Sequence, residues 1–248
     1  MTYIALLGLG VVGRGTLDLL KNNRDLLASR LGGGIEVKYI LDLRDFPGTP
    51  FAGKVVHDFA VILRDPEVTL VAEMMGGAHP AYDYTKAALA AGKSVVTSNK
   101  EVVATFGEEL LQIAKANGVT YAFEASVGGG IPIVRPLAND FLSGEVTGIF
   151  GILNGTTNYI LTEMTAKGRS FADALADAQA KGYAEKDPTA DVDGIDTCRK
   201  ICILTGIATG VLPDAKAVRT EGIRGIDKDD VALLAKCGYA VKLLGSMQ

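Results

Sequence analysis

Residues 3–13 read YIALLGLGVVG: an apolar strand runs into a G-x-G-x-x-G turn, and a helical pattern follows from Arg14. Gly8 allows the tight turn, Gly10 lets the backbone approach a pyrophosphate, and Gly13 lets the helix and the strand pack closely. The N-terminus of the helix then offers free N–H groups and the positive end of its dipole to phosphates. An ordinary βα turn is the plainer alternative. The placement between a strand and a helix favours a dinucleotide site.

Strands and helices alternate through the first half of the chain. The apolar runs predict strands at 35–41, 70–73, 94–97 and 119–124, with helices at 80–91 and 101–117. This alternation is typical of an α/β fold, a Rossmann-like doubly wound parallel sheet with right-handed crossovers. The strand ends at Gly8, Met74, Thr97 and Glu124 should therefore share one edge of the sheet, where such folds bind ligands.

The pattern changes after the glycine-rich segment 128–132, where we place a domain boundary. The second half predicts a strand at 146–153, a helix opening at 154–158, helices at 171–181, 192–208 and 228–238, and a strand at 239–244. We therefore predict a dinucleotide-binding domain at 1–133 and a smaller α+β domain at 134–248.

Composition narrows the class of protein. The 248 residues can bury a sizeable core, and the net charge of −4 argues against a nucleic-acid partner. No apolar run reaches membrane-spanning length, and no secretion signal is evident, so we expect no membrane association. Three cysteines make no disulfide framework and fit a reducing cytoplasm.

Lys100 follows Ser98-Asn99 at the point where a predicted strand meets its helix. An ammonium group at this edge could bind a carboxylate or pass a proton to a carbonyl oxygen. The alternative is a solvated lysine in the first turn of a helix, where its charge opposes the dipole.

The segment from Glu124 to Pro132, EASVGGGIP, is the next junction of a strand and a loop. One carboxylate and several exposed carbonyl groups could hold a hard cation such as sodium. The spacing taken alone favours a glycine-rich hinge between domains.

The densest polar stretch, GYAEKDPTADVDGIDTCRK, spans 182–200. Asp196 and Lys200 are four residues apart and share a helix face. They could be a plain surface pair on a capped helix, which contributes little. Ile195 and Ile201 flank the pair and indicate partial burial, so a surface pair and a functional site are about evenly favoured.

Five segments together resemble the homoserine dehydrogenase family, in the family's order and over most of the chain. They are GLGVVG at 8–13, SNKE at 98–101, EASVGGGIP at 124–132, ILNGTTNYIL at 152–161 and the 182–200 stretch. The resemblance implies reversible NAD(P)-dependent reduction of L-aspartate 4-semialdehyde to L-homoserine, in threonine and methionine biosynthesis. Such hydride transfer needs an oriented nicotinamide and a proton source, with no covalent nucleophile.

The resemblance also implies roles for individual residues. Lys200 would be the general acid/base at the substrate oxygen, with Lys100 and Asp196 completing the catalytic group. Substrate contacts fall to Glu185, Asp196, Thr156, Tyr183 and Asp191. Cofactor contacts fall to Gly8, Gly10, Val11, Val12, Gly13, Arg44, Thr97, Ser98, Lys100 and Gly182. The resemblance assigns a sodium site to the Glu124 carboxylate and to the carbonyl groups of Val127, Gly129 and Ile131. We therefore interpret this segment as a cation site rather than as a hinge.

The choice between NADP and NAD stays open. Asp42 ends the second strand, where a carboxylate usually accepts bonds from the ribose hydroxyls and favours NAD. Arg44 could instead face a 2′-phosphate, and the resemblance leans slightly towards NADP.

The family's pattern continues beyond Gln248 and implies a homodimer. We therefore expect a truncated chain or a short form, in which the 239–244 strand has an open edge that pairs with another chain or frays.

Two other functions compete with this interpretation. A dehydrogenase that works through a thioester needs a cysteine at a loop or helix N-terminus, and Cys198, Cys202 and Cys237 do not fit that position. A nucleotide-binding sensor or scaffold could keep the fold without turnover.

Overall fold

The computed structural model describes residues 1–141 and 144–248. The chain divides into two compact units, Met1–Pro132 and Ile133–Gln248.

The first unit alternates strands and helices. Its strands are β1 (Thr2–Leu7), β2 (Ile35–Leu41), β3 (Val55–Val56), β4 (Val68–Glu73), β5 (Ser94–Thr97) and β6 (Tyr121–Ala122). Its helices are α1 (Val11–Asn22), α2 (Arg24–Leu31), α3 (Phe59–Arg64), α4 (Ala81–Ala90) and α5 (Lys100–Ala116).

The strands of the first unit form one parallel sheet in the order β3-β2-β1-β4-β5-β6. The central strand β1 is buried from Ile4 to Leu7, as expected for a parallel sheet covered on both faces. The strand order reverses between β1 and β4, and this reversal opens a crevice at the carboxyl ends of the strands. The predicted Rossmann-like sheet is confirmed.

The second unit is mostly helical. Its helices are α6 (Val134–Asn139), α7 (Gly155–Lys167), α8 (Phe171–Ala180), α9 (Thr189–Val192), α10 (Ile195–Thr209) and α11 (Lys228–Lys236). Strands β7 (Ile149–Gly151) and β8 (Gly245–Met247) pair antiparallel. The core is built where α7 and α8 face each other, around Ile160, Met164 and Ala178.

The strand predicted at 239–244 is wrong: these residues are irregular, and the strand β8 begins at Gly245. Val241 and Leu243 pack against the core of the unit, which explains their apolar pattern without a strand. A Cβ atom on Gly245 would lie 2.9 Å from Leu153 Cδ1 and 3.2 Å from Ile201 Cβ. The close packing of this glycine fixes where the chain meets β7.

Other predicted boundaries also moved, and the strand predicted at 146–153 is restricted to β7. The helix predicted from 192 is divided, because Gly194 adopts a left-handed conformation, with φ of +80°, between α9 and α10. The strand predicted at 119–124 is restricted to β6, and Glu124 starts a short 3₁₀ turn, Glu124–Ser126.

Within the described residues, no helix combines the length and the apolar character that a membrane span requires.

Candidate functional site

In the glycine-rich turn between β1 and α1, a side chain would collide with neighbouring atoms at two glycines and would meet open space at the third. A Cβ atom on Gly8, whose φ is +89°, would lie 3.1 Å from the Met74 carbonyl oxygen, and one on Gly13 would lie 2.2 Å from the Gly8 carbonyl oxygen. A Cβ atom on Gly10 would meet nothing within 4 Å. The backbone at Gly10 therefore offers the open approach that a pyrophosphate needs.

The N-terminus of α1 is free of competing acidic groups. Its N-cap is Gly10, which supplies no side-chain cap, and the first turn holds no acidic residue. Val11 and Val12 stand exposed at this end, at 91% and 53%. A twelve-residue helix that ends in this way suits a phosphate group, because the helix dipole and free N–H groups both favour an anion.

Asp42 is saturated by donors from this unit. Its Oδ2 accepts from the Leu9 N–H at 2.8 Å and from Arg44 Nη2 at 2.9 Å. Its Oδ1 accepts from the Arg44 backbone N–H at 3.0 Å and from Arg44 Nε at 2.9 Å. The Arg44 guanidinium, with these backbone bonds, holds the pKa of Asp42 far below its ordinary value. Asp42 is thus committed to the turn and to Arg44.

Two guanidinium groups flank one ring beyond the end of β2. The Cζ atoms of Arg14 and Arg44 each lie 5.3 Å from the centroid of the Phe46 ring. Cations over an aromatic face are held by the ring quadrupole. Arg44 stays 60% exposed at its side chain, so it is positioned without being covered.

A buried carboxylate joins the loops that follow β4 and β5. Glu73 is fully buried and accepts from Thr97 Oγ1 at 2.5 Å, from the Met75 N–H at 2.7 Å and from Asn99 Nδ2 at 3.5 Å. Burial raises the pKa of Glu73, and the three donors oppose that rise. Asn99 also caps α5, since its Oδ1 accepts from the Val102 N–H at 3.2 Å. This network fixes the segment that carries Thr97, Ser98 and Lys100, and Lys100 is the first residue of α5.

Sequence reasoning gave Glu73 and Asn99 no role. The available signal was a carboxylate at the end of a buried strand, together with an asparagine at a helix N-cap three residues before Val102.

The segment 124–131 leaves β6 through the 3₁₀ turn and two left-handed glycines. Gly128 and Gly129 have φ of +77° and +59°. Val127 is fully buried, whereas Ile131 is 72% exposed. One carboxylate together with neutral carbonyl oxygens is the donor set of a hard cation. In the described chain, no group of three or more His, Cys, Asp or Glu residues forms a metal cluster.

In the second unit, Asp196 and Lys200 form an ion pair on α10. Lys200 Nζ lies 2.7 Å from Asp196 Oδ2 and donates to the Leu153 carbonyl oxygen at 2.8 Å. The Asp196 side chain is 1% exposed and that of Lys200 is 14% exposed. The partial burial predicted from the flanking isoleucines is therefore present, and the ammonium group is held in one orientation.

The N-terminus of α7 lies against this pair. Asn154 Nδ2 donates to Asp196 Oδ2 at 2.9 Å and to Asp191 Oδ1 at 2.7 Å. Thr156 Oγ1 donates to the Tyr183 carbonyl oxygen at 2.8 Å. The structure thus connects Asp191, Asp196 and Lys200 through Asn154, a residue that sequence reasoning quoted in a motif without giving it a role.

The remaining predicted residues of this unit lie on its surface. Gly182 has φ of +74° after α8. Tyr183 is 58% exposed and packs edge-on against Tyr159. Glu185 is exposed. Lys100 and the glycine-rich turn belong to the first unit, and Lys200 belongs to the second.

Comparison with known proteins matches both halves of the chain. A family model described as the homoserine dehydrogenase NAD-binding domain matches residues 8–124, and one described as homoserine dehydrogenase matches residues 132–248. The chain is 41% identical over 243 residues to a homoserine dehydrogenase of Pseudomonas aeruginosa, covering 98% of this chain and 56% of that protein. It is 38% identical to one of Bacillus subtilis, covering 99% and 57%. The chain therefore spans little more than half the length of these curated relatives.

Solved structures agree. A homoserine dehydrogenase of Thiobacillus denitrificans has a TM-score of 0.93 at 41% identity, covering 99% of this chain and 57% of that one. A proposed homoserine dehydrogenase of Archaeoglobus fulgidus has a TM-score of 0.90 at 30% identity, covering 100% and 81%. A hyperthermophilic archaeal homoserine dehydrogenase solved in complex with NADPH has a TM-score of 0.83 at 26% identity, covering 100% and 78%.

Proposed function

The chain belongs to the homoserine dehydrogenase family, as its motifs predict, and we propose that it interconverts L-homoserine and L-aspartate 4-semialdehyde with a nicotinamide cofactor. The observation that carries the proposal is the Lys200–Asp196 pair, partly buried and fixed by a backbone carbonyl group. The glycine-rich turn would serve a sensor or scaffold equally well, whereas a fixed ammonium group supplies the proton that turnover needs.

The residues of the first unit suit a nicotinamide cofactor. The open backbone at Gly10 and the free N-terminus of α1 would hold the pyrophosphate. The Glu73 network holds Thr97, Ser98 and Lys100 at the same sheet edge, and the other contacts are those inferred from the family. The bound cofactor would supply or accept the hydride.

Lys200 would handle the proton. In the reducing direction its Nζ donates a proton to the carbonyl oxygen of the semialdehyde as that carbon becomes an alcohol. In the oxidising direction the same nitrogen takes the hydroxyl proton back. Asp196 and the Leu153 carbonyl oxygen orient Nζ. The family resemblance implies an assisting role for Lys100.

The carboxylates of the second unit would bind the amino-acid end of the substrate. Glu185 is exposed and Asp191 is half-buried, and either can accept bonds from an ammonium group. Thr156 and Tyr183 lie at the start of α7 and in the segment bonded to it, and would complete the substrate contacts. Gly182 keeps the cofactor contact inferred from the family.

We propose NADP as the preferred cofactor. Asp42 is occupied by four donors and is a poor acceptor for ribose hydroxyls, while Arg44 is exposed and held by Asp42. Arg14 and Arg44 place two guanidinium groups beside Phe46 at the end of β2, and guanidinium groups suit a 2′-phosphate.

The proposal also includes a sodium site, a homodimer and a cytoplasmic location. The Glu124 carboxylate and the carbonyl groups of Val127, Gly129 and Ile131 would hold sodium without taking part in chemistry. The homodimer is inferred from the family, and Phe150 on β7, which is 77% exposed, is a candidate for its contact surface. The cysteines are free thiols, which suits the cytoplasm.

The direct test is homoserine-dependent formation of NADPH, followed by absorbance, with L-serine as the control substrate. We expect turnover with homoserine and little with serine, which is one methylene shorter. A folded, cofactor-binding chain that forms no NADPH from homoserine would overturn the proposed function.

A further inference from the structure

We infer that Asn154 is a positioning residue, whose side-chain amide holds the carboxylates of Asp191 and Asp196 together so that the second can orient Lys200. The inference rests on the proposed function and adds to it a residue outside the acid-rich 182–200 stretch.

The orientation of the Asn154 amide is fixed by its surroundings. Its Oδ1 accepts from the Thr157 N–H at 2.8 Å and from Thr157 Oγ1 at 2.9 Å. Its Nδ2 lies 2.7 Å from Asp191 Oδ1 and 2.9 Å from Asp196 Oδ2. A flipped amide would point its oxygen at two carboxylates and its NH₂ group at two donors, so this arrangement is the one the network permits.

The position is buried and joins three helices. Asn154 is 5% exposed and is the N-cap of α7, while Asp191 lies in α9 and Asp196 in the first turn of α10. Both amide hydrogens are therefore used between elements that are distant in sequence. Bonds from a neutral donor to two ionised groups are charge-assisted and stronger than ordinary ones.

The Asn154 amide also offsets the repulsion between two carboxylates. Two carboxylates brought to the same donor repel each other, and like charges at short range disfavour ionisation. Lys200 Nζ balances Asp196 at 2.7 Å. Asn154 supplies the donor that the two acids share, which offsets their repulsion beside the ammonium group of Lys200.

Asparagine combines two abilities at this site. Serine and aspartate can also accept the bond from the Thr157 N–H as an N-cap. Neither offers two N–H donors to the carboxylates. The two roles of Asn154 can therefore be separated by substitution.

The experiment compares three variants of the full chain. Asn154→Ser keeps a capping oxygen and removes both amide donors. Asn154→Asp keeps size and cap and replaces the donors by an acceptor. Ser170→Ala is the matched control, because it removes the side-chain N-cap of α8 in the same unit and leaves Asn154 and both carboxylates untouched.

We expect Asn154→Ser to lower kcat/KM for homoserine by about 10- to 100-fold, the effect of losing hydrogen bonds to charged groups. The dissociation constant for NADPH should change less than about twofold, because the cofactor contacts proposed above lie mainly in the first unit. Asn154→Asp should lose at least as much, and it decides the question if Asn154→Ser does not fold. Ser170→Ala should keep kcat/KM near wild type.

Crystal structures of the variants give a readout independent of turnover. The carboxylates of Asp191 and Asp196 should move apart in Asn154→Ser and Asn154→Asp and stay in place in Ser170→Ala. Unchanged carboxylate positions, or an active wild type whose Asn154 variants keep full kcat/KM, would overturn the inference. An inactive wild type with separated carboxylates in the variants would count against the proposed function and leave the bridge itself intact.

Discussion

Lys200 and Arg44 illustrate how single side chains obtain their chemistry from neighbours. Each is a flexible cation, and each is held by a carboxylate and a backbone carbonyl group: Lys200 by Asp196 and Leu153, Arg44 by Asp42 and Leu9. An oriented cation has already lost much of its rotamer freedom, which reduces the cost of binding a ligand.

Lys200→Ala should lower the rate of turnover by about 10²- to 10⁴-fold, because a positioned acid/base is removed. NADPH binding, measured by fluorescence, should remain. Lys186→Ala, at an exposed lysine of the same stretch, is the control and should keep its activity. Near-normal turnover in folded Lys200→Ala would remove this residue from the catalytic role.

Arg44→Ala should raise the KM for NADPH by about tenfold or more, as expected when a charged hydrogen bond to a phosphate is lost. The KM for NADH should change little, since NADH lacks the 2′-phosphate. Arg24→Ala, at an exposed arginine of α2, serves as the comparison. An equal effect on both cofactors would show that Arg44 acts on the turn rather than on the phosphate.

The turn from β1 to α1 and the contact of α7 with α8 show two ways in which elements are joined. The turn depends on backbone packing that excludes side-chain atoms. The helix pair depends on an apolar interface with charged groups at its rim. There the Asp177 carboxylate accepts a hydrogen bond from the Tyr159 hydroxyl and another from Lys181 Nζ at 2.9 Å. Arg169 Nη1 lies 3.3 Å from the same carboxylate.

Gly13→Ala should destabilise the protein by about 1–3 kcal/mol, because its Cβ atom would lie 2.2 Å from the Gly8 carbonyl oxygen and the backbone must shift. Gly10→Ala is the matched variant: its φ is −77° and its Cβ atom would enter open space. It should keep its melting temperature and bind NADPH more weakly. The proposed phosphate approach fails if Gly10→Ala binds NADPH as wild type does.

Asp177→Asn tests the rim of the α7–α8 contact through pH. The hydrogen bond from Tyr159, with Lys181, lowers the pKa of Asp177 from 3.8 to about 2. A carboxylate with a lowered pKa stabilises the folded state above its unfolded pKa, and this stabilisation is lost as pH falls towards the folded pKa. The difference in unfolding free energy between wild type and Asp177→Asn should be full above pH 3.8 and shrink towards about pH 2.

Urea unfolding across that range measures the difference. Asp140→Asn, at an exposed aspartate after α6, should show no comparable trend. If the difference in unfolding free energy stays constant down to the lowest pH, the charge of Asp177 does not contribute to stability.

Across the whole molecule, the two units carry different parts of the proposed chemistry. Met1–Pro132 holds the glycine-rich turn and Lys100, and Ile133–Gln248 holds Asp191, Asp196 and Lys200. Each unit has a buried cluster of its own, around Leu6 and Ile40 in the first and around Ile160 and Met164 in the second.

Sodium bound at 124–131 should stabilise the protein as a whole. A ligand that binds only the folded state at about 100 times its dissociation constant adds about 2.7 kcal/mol to the unfolding free energy. Exchange of sodium for tetramethylammonium should therefore lower the melting temperature of wild type and leave Glu124→Gln nearly unchanged. Zinc bound at the site would refute this assignment, since zinc prefers nitrogen and sulfur ligands. A wild-type melting temperature that does not depend on sodium would refute it as well.

Local patterns in the sequence were enough for the fold and for part of the site. Apolar runs alternating with helical spacing predict the parallel sheet, because side-chain periodicity reflects the element itself. The glycines at 8, 10 and 13 predict the turn, and the four-residue spacing of Asp196 and Lys200 predicts their pairing. In the turn and in the Asp196–Lys200 pair the interacting groups lie close together in the sequence, and the sheet follows from the order of its elements.

Contacts between distant residues required the tertiary structure. The position of Asp42 at the end of β2 suggests an acceptor for ribose hydroxyls. In the structure its carboxylate instead accepts hydrogen bonds from the Leu9 N–H and from Arg44. Asn154 meets Asp191 and Asp196 across 37 and 42 residues, and Glu73 meets Thr97 across 24. The apolar run 239–244 predicted a strand, but Val241 and Leu243 pack on the helical core. Periodicity tells which residues are buried, whereas the partner that each buried group meets is set by how the elements pack.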